Sequence, residues 1–321
     1  TDPTNPDTDG DGLNDGEEVT GVDDPSTPLA PAGTSDPLNS CDPYPCLAAK
    51  VFLGGAYDDG TDRMRDDLRM LNIIPNGQPY GGNHTADLTL DRSDAVGAER
   101  VAVAGGSTIK KRILVELRNA ANPAQVLARQ AALVQRDGDI VHAGDGTSTL
   151  FFPGTPAGNY HISVRHRNHL GVMTAVQATM PAGSTTTVDF TNAATSNYQL
   201  AGPTGSVHAQ RTLTNGKRAL WEGNMGNTDN GGQHTGDRII YQGNNADTDE
   251  PYYRVLLDPA NLNIAPNWIV HAYDRADANL DGQVIYQGVN ADSDIPFFVV
   301  FLFPDNTLVL PNFVIFEQIP D

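Results

Sequence analysis

The chain has 321 residues, 39% of them hydrophobic, and a formal net charge of −20 at neutral pH. That length allows two or three domains with true cores, and the apolar content, though low, is sufficient to build them. The excess of acid excludes nucleic acid as a natural partner, and no run of eighteen apolar residues is present to cross a membrane as a helix.

The acid is concentrated at the start, where residues 1–49 hold 11 Asp or Glu and no Lys or Arg. Within that stretch Asp7-Thr8-Asp9-Gly10-Asp11-Gly12-Leu13-Asn14-Asp15-Gly16-Glu17-Glu18 has Asp at loop positions 1, 3, 5 and 9, Gly at 6 and Glu at 12. Calcium takes about six to eight oxygens, and this spacing supplies them. The expected shell is the carboxylates of Asp7, Asp9 and Asp11, the backbone carbonyl of Leu13, Asp15 directly or through water, and a bidentate Glu18. The bland alternative is a solvated Asp/Gly linker. The segment resembles the thrombospondin type 3 repeats of secreted and cell-surface proteins, bacterial ones especially, over about residues 1–46. Thr1-Asp2-Pro3 and Ser35-Asp36-Pro37 resemble the tails of such repeats, which implies that the chain begins inside a longer array as a processed product. Whether Asp23, Asp24, Asp36 and Asp42 hold further ions stays open. Rich in Pro, Asp, Thr and Gly and without strand or helix periodicity, residues 1–46 are expected to form an extended calcium-binding arm.

The two cysteines, Cys41 and Cys46, close the arm in Cys-Asp-Pro-Tyr-Pro-Cys. A local disulfide is the favoured reading, since zinc finds no further ligands nearby. Such a short ring stabilises by about 2 kcal/mol in the chain-entropy account and persists only in an oxidising compartment, which places the protein outside the cell or on its surface.

Residues 47–200 read as a β-sandwich of immunoglobulin or transthyretin-like type with one short helix. The helix is expected between Thr61 and Leu71, with Met64, Leu68 and Leu71 on one face. Strands are expected at Ile113–Arg118, Val126–Gln135, Tyr160–Arg167 and Thr185–Phe190, separated by turns rich in Gly, Pro, Asn and Asp. On the strand from Tyr160 onward, His161, Arg165, Arg167 and His169 would share one face and His166 the other, so the histidines do not converge without a bend. A solvated or interfacial basic strand, an anion-binding surface and a transition-metal site are the three readings of that cluster.

Residues 201–321 contain a duplication. Ile239-Ile240-Tyr241-Gln242-Gly243 to Pro251-Tyr252-Tyr253 returns 45 residues later as Val284-Ile285-Tyr286-Gln287-Gly288 to Pro296-Phe297-Phe298. The match continues through Pro266-Asn267-Trp268 against Pro311-Asn312-Phe313, so each copy is expected to be a metal loop followed by two strands. Ahead of the second copy, Asp277-Ala278-Asn279-Leu280-Asp281-Gly282-Gln283 resembles the calcium half-loop of dockerin and EF-hand families. That resemblance implies Asp277, Asn279, Asp281 and the carbonyl of Gln283 as ligands. Position 12 would be Gly288, which has no side-chain oxygen, so Asp292 and Asp294 are the expected replacements. The first copy carries a degenerate version, with Asn224, Asn227, Asp229 and Asp237 ahead of the shared motif and Asp247 and Asp249 behind it; a polar turn is the alternative. The arrangement also resembles the end modules of large secreted proteins of gliding and related bacteria. Continuous apolarity over Phe297–Phe303 and Leu308–Phe316 predicts strands covered on both faces, by the same subunit or a neighbour.

No His-Glu-x-x-His, Gly-x-Ser-x-Gly or phosphate-binding Gly-x-x-x-x-Gly-Lys occurs. The reading that accounts for most residues is a secreted, non-enzymatic structural subunit that takes Ca²⁺ and associates with copies of itself into a filament, tube or surface layer. The alternatives are the adhesive or carbohydrate-binding end of a larger surface protein, with Trp221, Trp268, Tyr252 and Tyr253 as stacking aromatics, and a non-catalytic appendage of a secreted hydrolase.

Overall fold

A computed structural model of the chain describes residues 1–22, 24, 33–74, 109–143, 146, 149–200, 208–226 and 238–320. Strand outweighs helix, 31% against 12%, and most of it lies in one nine-stranded sheet. Its strands are β1 (Cys46–Lys50), β2 (Ile109–Asn119), β3 (Val126–Gln135), β4 (Asp139–His142), β5 (Leu150–Phe151), β6 (Gly158–His166), β7 (His169–Met173), β8 (Ala178–Met180) and β9 (Thr185–Asp189). The order is β8-β6-β2-β3-β4-β1-β9, with β5 also on β1 and β7 on β6; β1 and β9 are parallel and every other pair antiparallel. The four strands expected within residues 47–200 are all present. The path's two ends, β8 and β9, are joined by a short turn, and the Thr186 hydroxyl donates to the Thr179 carbonyl at 2.8 Å. The sheet therefore wraps round until its ends meet, which leaves few bare strand edges.

Alternation on β2 explains how it fills. Ile113, Val115 and Leu117 point into the main core with Ile162, Val164 and Phe52, all buried. The other face carries Glu116 and Arg118, which are buried as well, because the chain's C-terminal tail lies across them. Arg118 donates to the Pro320 carbonyl (2.6 Å), and Glu317 accepts from Arg165 and from the Gly171 amide (2.5 and 2.6 Å).

Three expectations are corrected. The helix placed at Thr61–Leu71 shrinks to α2 (Asp67–Met70), because Arg63–Met64 pairs with Tyr57–Asp58 as a two-residue ladder; Met64 and Leu68 still reach the core but Leu71 is exposed. The acidic segment contains a helix, α1 (Asp15–Thr20), begun by Asn14 with Glu17 three residues on and ended by Gly21 in the left-handed conformation, a start and stop legible in the sequence. The segment is also folded back rather than extended: Tyr44 is fully buried, and Ser35 bonds Glu18. The basic strand is the third, since His161, Arg165, His166 and His169 are all buried rather than solvated. A turn at Arg167-Asn168 supplies the bend that brings His166 and His169 together, Nδ1 to Nδ1 at 3.1 Å.

In the duplicated unit each copy is strand, helix, strand rather than loop and two strands. The first copy gives β10 (Arg238–Ile240), α3 (Asp249–Leu256) and β11 (Ile269–His271); the second gives β12 (Gln283–Ile285), α4 (Asp294–Leu302) and β13 (Val314–Phe316). The apolar run expected as a strand is thus α4, with Asp294 and Pro296 in its first turn, where acid suits the helix dipole and a missing N–H costs nothing. Only one of its faces is covered: Val299 and Val300 are buried while Phe298 and Leu302 are exposed. The strands pair across copies. β10 pairs with β13 (Arg238 opposite Phe316) and β11 with β12 in the equivalent register (His271 opposite Gln283). The helices follow, with Val300 and Phe303 packing on Ile239 and Ile315, and Val255 on Val270 and Val284. First and last strands of the duplication therefore clasp each other and close the unit. No described helix is long and apolar enough to cross a membrane.

Candidate metal centres

The Asp7–Glu18 loop is built on its own carboxylates. Gly10 and Gly12 donate to the two oxygens of Asp7 (2.8 and 3.1 Å), the Asp11 amide to Asp9 Oδ1 (3.2 Å) and the Leu13 amide to Asp11 Oδ1 (2.8 Å). The backbone turns through φ +78° at Gly10 and +97° at Gly12, conformations glycine reaches without a steric cost. Carboxylate oxygens of Asp7, Asp9 and Asp11 come within 4.8 Å of one another, the only such group of His, Cys, Asp or Glu among the described residues. α1 then carries Glu18 back, where its Oε1 accepts from the Ser35 hydroxyl at 3.0 Å.

Three oxygens of this loop, Asp9 Oδ2, Asp11 Oδ2 and Glu18 Oε2, are buried with no hydrogen-bond partner among the described residues. Buried carboxylate oxygens are rarely left so, because each costs its lost hydration. Burial, with Asp9, Glu18 and Asp7 adding to it against the Leu13 bond, pushes Asp11 up to about 8. Burial likewise takes Glu18 up to about 7, despite the Ser35 bond, and Asp9 is also raised, chiefly by burial. A hard divalent cation would satisfy these oxygens, and the donor set could hold one. Asp15 is turned elsewhere: its oxygens accept from the Thr8 amide and hydroxyl at 2.8 Å each. Burial raises the Asp15 carboxyl, but those bonds outweigh it and hold the group below the usual range. Tyr44, between the disulfide-bonded Cys41 and Cys46, borders the loop; burial and then the charge of Asp11, with Glu17 and Glu18 further down, takes its hydroxyl up to about 12. Asp24 accepts from Asn14 and Asp42 from the Asp36 amide, both as turn braces, and Asp23 lies outside the described residues.

These shifts set a sign. Between about pH 4 and their raised values near 8 and 7, Asp11 and Glu18 hold protons in the folded chain that they give up on unfolding, so the cation-free protein loses stability as pH rises through that window. The expected result is a higher melting temperature at pH 5 than at pH 8 in chelator, and no such fall in millimolar calcium. Thermal scans at both pH values check it, and equal slopes with and without calcium would remove the loop as a cation site.

Asp277–Gln283 repeats the same geometry. Gly282 donates to Asp277 Oδ2 (2.9 Å), the Asp281 amide to Asn279 Oδ1 (2.8 Å) and the Gln283 amide to Asp281 Oδ1 (2.8 Å), matching the first loop at positions 1, 3, 5 and 6. Leu280 and Gly282 take φ +62° and +86°, as Gly10 and Gly12 do. Here only two carboxylates contribute. Asp292 braces the loop from behind, its Oδ1 accepting from Ala278 and Asn279 (2.8 and 3.4 Å) and its Oδ2 from Ile285 (2.9 Å). Asp294 is exposed in the first turn of α4. Burial raises Asp277 to about 7 and Asp292 to about 8.

In the first copy Asp247 makes the same brace, its Oδ1 accepting from Met225 and Gly226 (2.7 and 2.5 Å) and its Oδ2 from Ile240 (2.6 Å). That equivalence puts Asn224 in the place of Asp277, and its buried Oδ1 has no partner. Asn227, Asp229 and Asp237 lie outside the described residues, and Asp249 is exposed at the start of α3.

The second loop plugs one end of the sheet. Leu280 is fully buried in the main core, Arg65 donates to the Asn279 carbonyl (2.7 Å), and a Cβ on Gly55 would stand 2.1 Å from the Ala278 carbonyl. Asn168, at the β6–β7 turn, holds both copies: its side chain donates to the carbonyls of Asp277 and Arg275 (2.6 and 3.1 Å), and its own carbonyl accepts from Gly223 and Asn224 (3.1 Å each). Beneath the plug are Lys111, His166 and His169, whose burial holds all three well below their ordinary pKa. His169 Nε2 accepts from the Gly55 amide at 3.1 Å, which puts its proton on Nδ1, toward Asn168 and His166. The pair is a neutral interior contact. Sequence spacing gave no signal for Asn168, Arg65 or Tyr44, whose partners lie far along the chain. Trp221 is buried and donates to the His208 carbonyl, whereas Tyr252, Tyr253 and Trp268 are exposed.

No family model, no curated protein and no solved structure matches this chain.

Proposed function

We propose that the protein is a secreted, non-enzymatic structural subunit that takes up Ca²⁺ and associates with copies of itself into an extracellular filament, tube or surface layer. The observation that carries the calcium half is the set of buried, partnerless oxygens on Asp9, Asp11 and Glu18. The repeat of the same turn at Asp277–Gln283 supports a second, weaker site, weaker because it offers one carboxylate fewer and no position-12 ligand. The Cys41–Cys46 disulfide supports an oxidising compartment. We read the wrapped sheet as a sandwich of immunoglobulin or transthyretin-like type, a rigid body suited to a building block. Extracellular modules bind calcium with dissociation constants near 10⁻⁴–10⁻³ M, so millimolar calcium contributes up to about 1.4 kcal/mol per site.

Exposed Tyr252, Tyr253 and Trp268 favour, as the second reading, a glycan-binding end module of a larger surface protein. Negative-stain microscopy with light scattering, in about 2 mM calcium and after excess chelator, separates the two. Ordered polymers that dissolve on chelation are expected; a monomer in both conditions that retains glycans would sink the assembly reading.

A further inference from the structure

Each copy of the duplication follows its helix with a loop that presents bare aliphatic side chains. In the second copy Leu302, Leu308, Val309 and Leu310 are 75%, 76%, 54% and 43% exposed, and in the first Leu257, Leu262 and Ile264 are 74%, 88% and 65% exposed. The four residues of the second copy, the last of α4 and three of the loop behind it, expose on the order of 400 Å², within the range of the largest apolar patch on a soluble chain, which is often functional. The loop tips are not slack. Asn306, buried, donates to the Val300 and Leu310 carbonyls (2.8 and 3.0 Å) and accepts from the Leu310 amide (2.8 Å). Asn261 makes the same three bonds to Val255 and Ala265. Both clamps force a β-branched residue into the left-handed region, Ile264 at φ +50° and Val309 at φ +54°. That conformation suits Gly or Asn and strains Ile or Val. The two copies differ at most positions of this loop, yet each holds a strained aliphatic side chain out into solvent.

Charge indicates what covers it. With a net charge of −20, two copies repel wherever acid faces acid. Residues 295–316 carry a single charged side chain, Asp305, and residues 257–268 a single one, Asp258. These loops therefore add little acid-against-acid repulsion where two copies approach. An anionic lipid surface is disfavoured by the same net charge, and neither loop has a basic residue to hold one.

We infer that the aliphatic loops at residues 302–310 and 257–264 are the surfaces through which copies of this chain meet. The inference rests on the self-association proposed above and names its contact. Two equivalent faces on one chain let association propagate beyond a pair.

The test compares the full-length protein with Leu308→Asn/Val309→Asn and with Ile264→Asn, by light scattering over a concentration series in about 2 mM calcium and by thermal unfolding of each. Because Asn accepts the left-handed conformation held by Ile264 and Val309, and Leu308 is largely exposed, the variants are expected to melt no lower than the parent. The concentration at half-association is expected to rise about tenfold or more, the loss that follows removal of an interface anchor. If the parent associates and both variants associate equally well, the loops are not the contact and this inference falls while self-assembly stands. A parent that stays monomeric throughout defeats the self-association reading itself, and the inference with it. Variants that melt lower than the parent yet associate equally well would show the loops covered by their own chain, which also overturns it.

Discussion

Glu116→Ala is expected to cost about 3–5 kcal/mol of unfolding free energy, because it removes the one carboxylate shared by three guanidinium groups inside the sheet. Glu116 Oε2 accepts from Arg118 and from the Ser163 hydroxyl at 2.8 Å and lies 3.5 Å from Arg165, while Oε1 is 3.0 Å from Arg129. Burial alone would raise the Glu116 carboxyl; Arg165, then Arg118 and Arg129, outweigh it and hold the group well below the usual carboxylate range. A depressed folded pKa contributes stability above the unfolded value near 4.3, lost only as pH falls through the folded one. The parent should therefore keep this contribution through mildly acidic conditions and lose it in strong acid, where variant and parent converge. The loss should be seen twice. Thermal unfolding should shift down by roughly 10 °C, at 2–4 °C per kcal/mol for a chain of this size. Amide exchange in Val314–Phe316 should quicken, since Arg165 and Arg118 also hold Glu317 and Pro320. A shift below about 1 kcal/mol would mean that the network behaves as a surface ion pair.

Leu280→Ala is the second large effect, at about 2–5 kcal/mol for a fully buried leucine left as a cavity. The residue sits in the turn of the candidate loop at Asp277 yet packs in the main core, and a Cβ on Gly282, two residues on, would stand 2.5 Å from Leu71 Cδ1. Its loss should loosen the plug and, with it, the loop's hold on cations. The measurement is the melting temperature of parent and variant, each in calcium and in chelator. A smaller calcium-dependent rise in the variant is the expected result. An equal rise would show that the core and the loop at Asp277 are energetically separate.

Much of the chain was readable from local rules. The strand runs at Ile113, Val126, Tyr160 and Thr185 were legible because alternation and turn residues act over a few positions. The disulfide ring, whose half-cystines stand only five positions apart, was legible for the same reason. The Asp7–Glu18 loop was legible because its geometry is made by carboxylates bonding amides two to five residues away. α1 is written in Asn14 and Glu17, a signal easily lost among the surrounding acidic residues. α4 was misread, because a run apolar on every side has no period to separate helix from strand, and only the acid and proline of its first turn carried the answer.

What the sequence determined by itself was the turn chemistry: where carboxylates fold back on their own amides, where the chain reverses, and that the last third is one unit written twice. Those are short-range matters, settled by side chains acting on their own backbone. The tertiary structure alone decided that β10 pairs with β13 rather than within its own copy, and that Leu280 plugs the sheet. It also decided that Asn168 fastens both copies, and that a basic strand lies buried round Glu116. Each depends on residues tens to hundreds of positions apart, and there the choice is made by which surfaces must leave water together, a sum over the whole fold that no window of sequence contains.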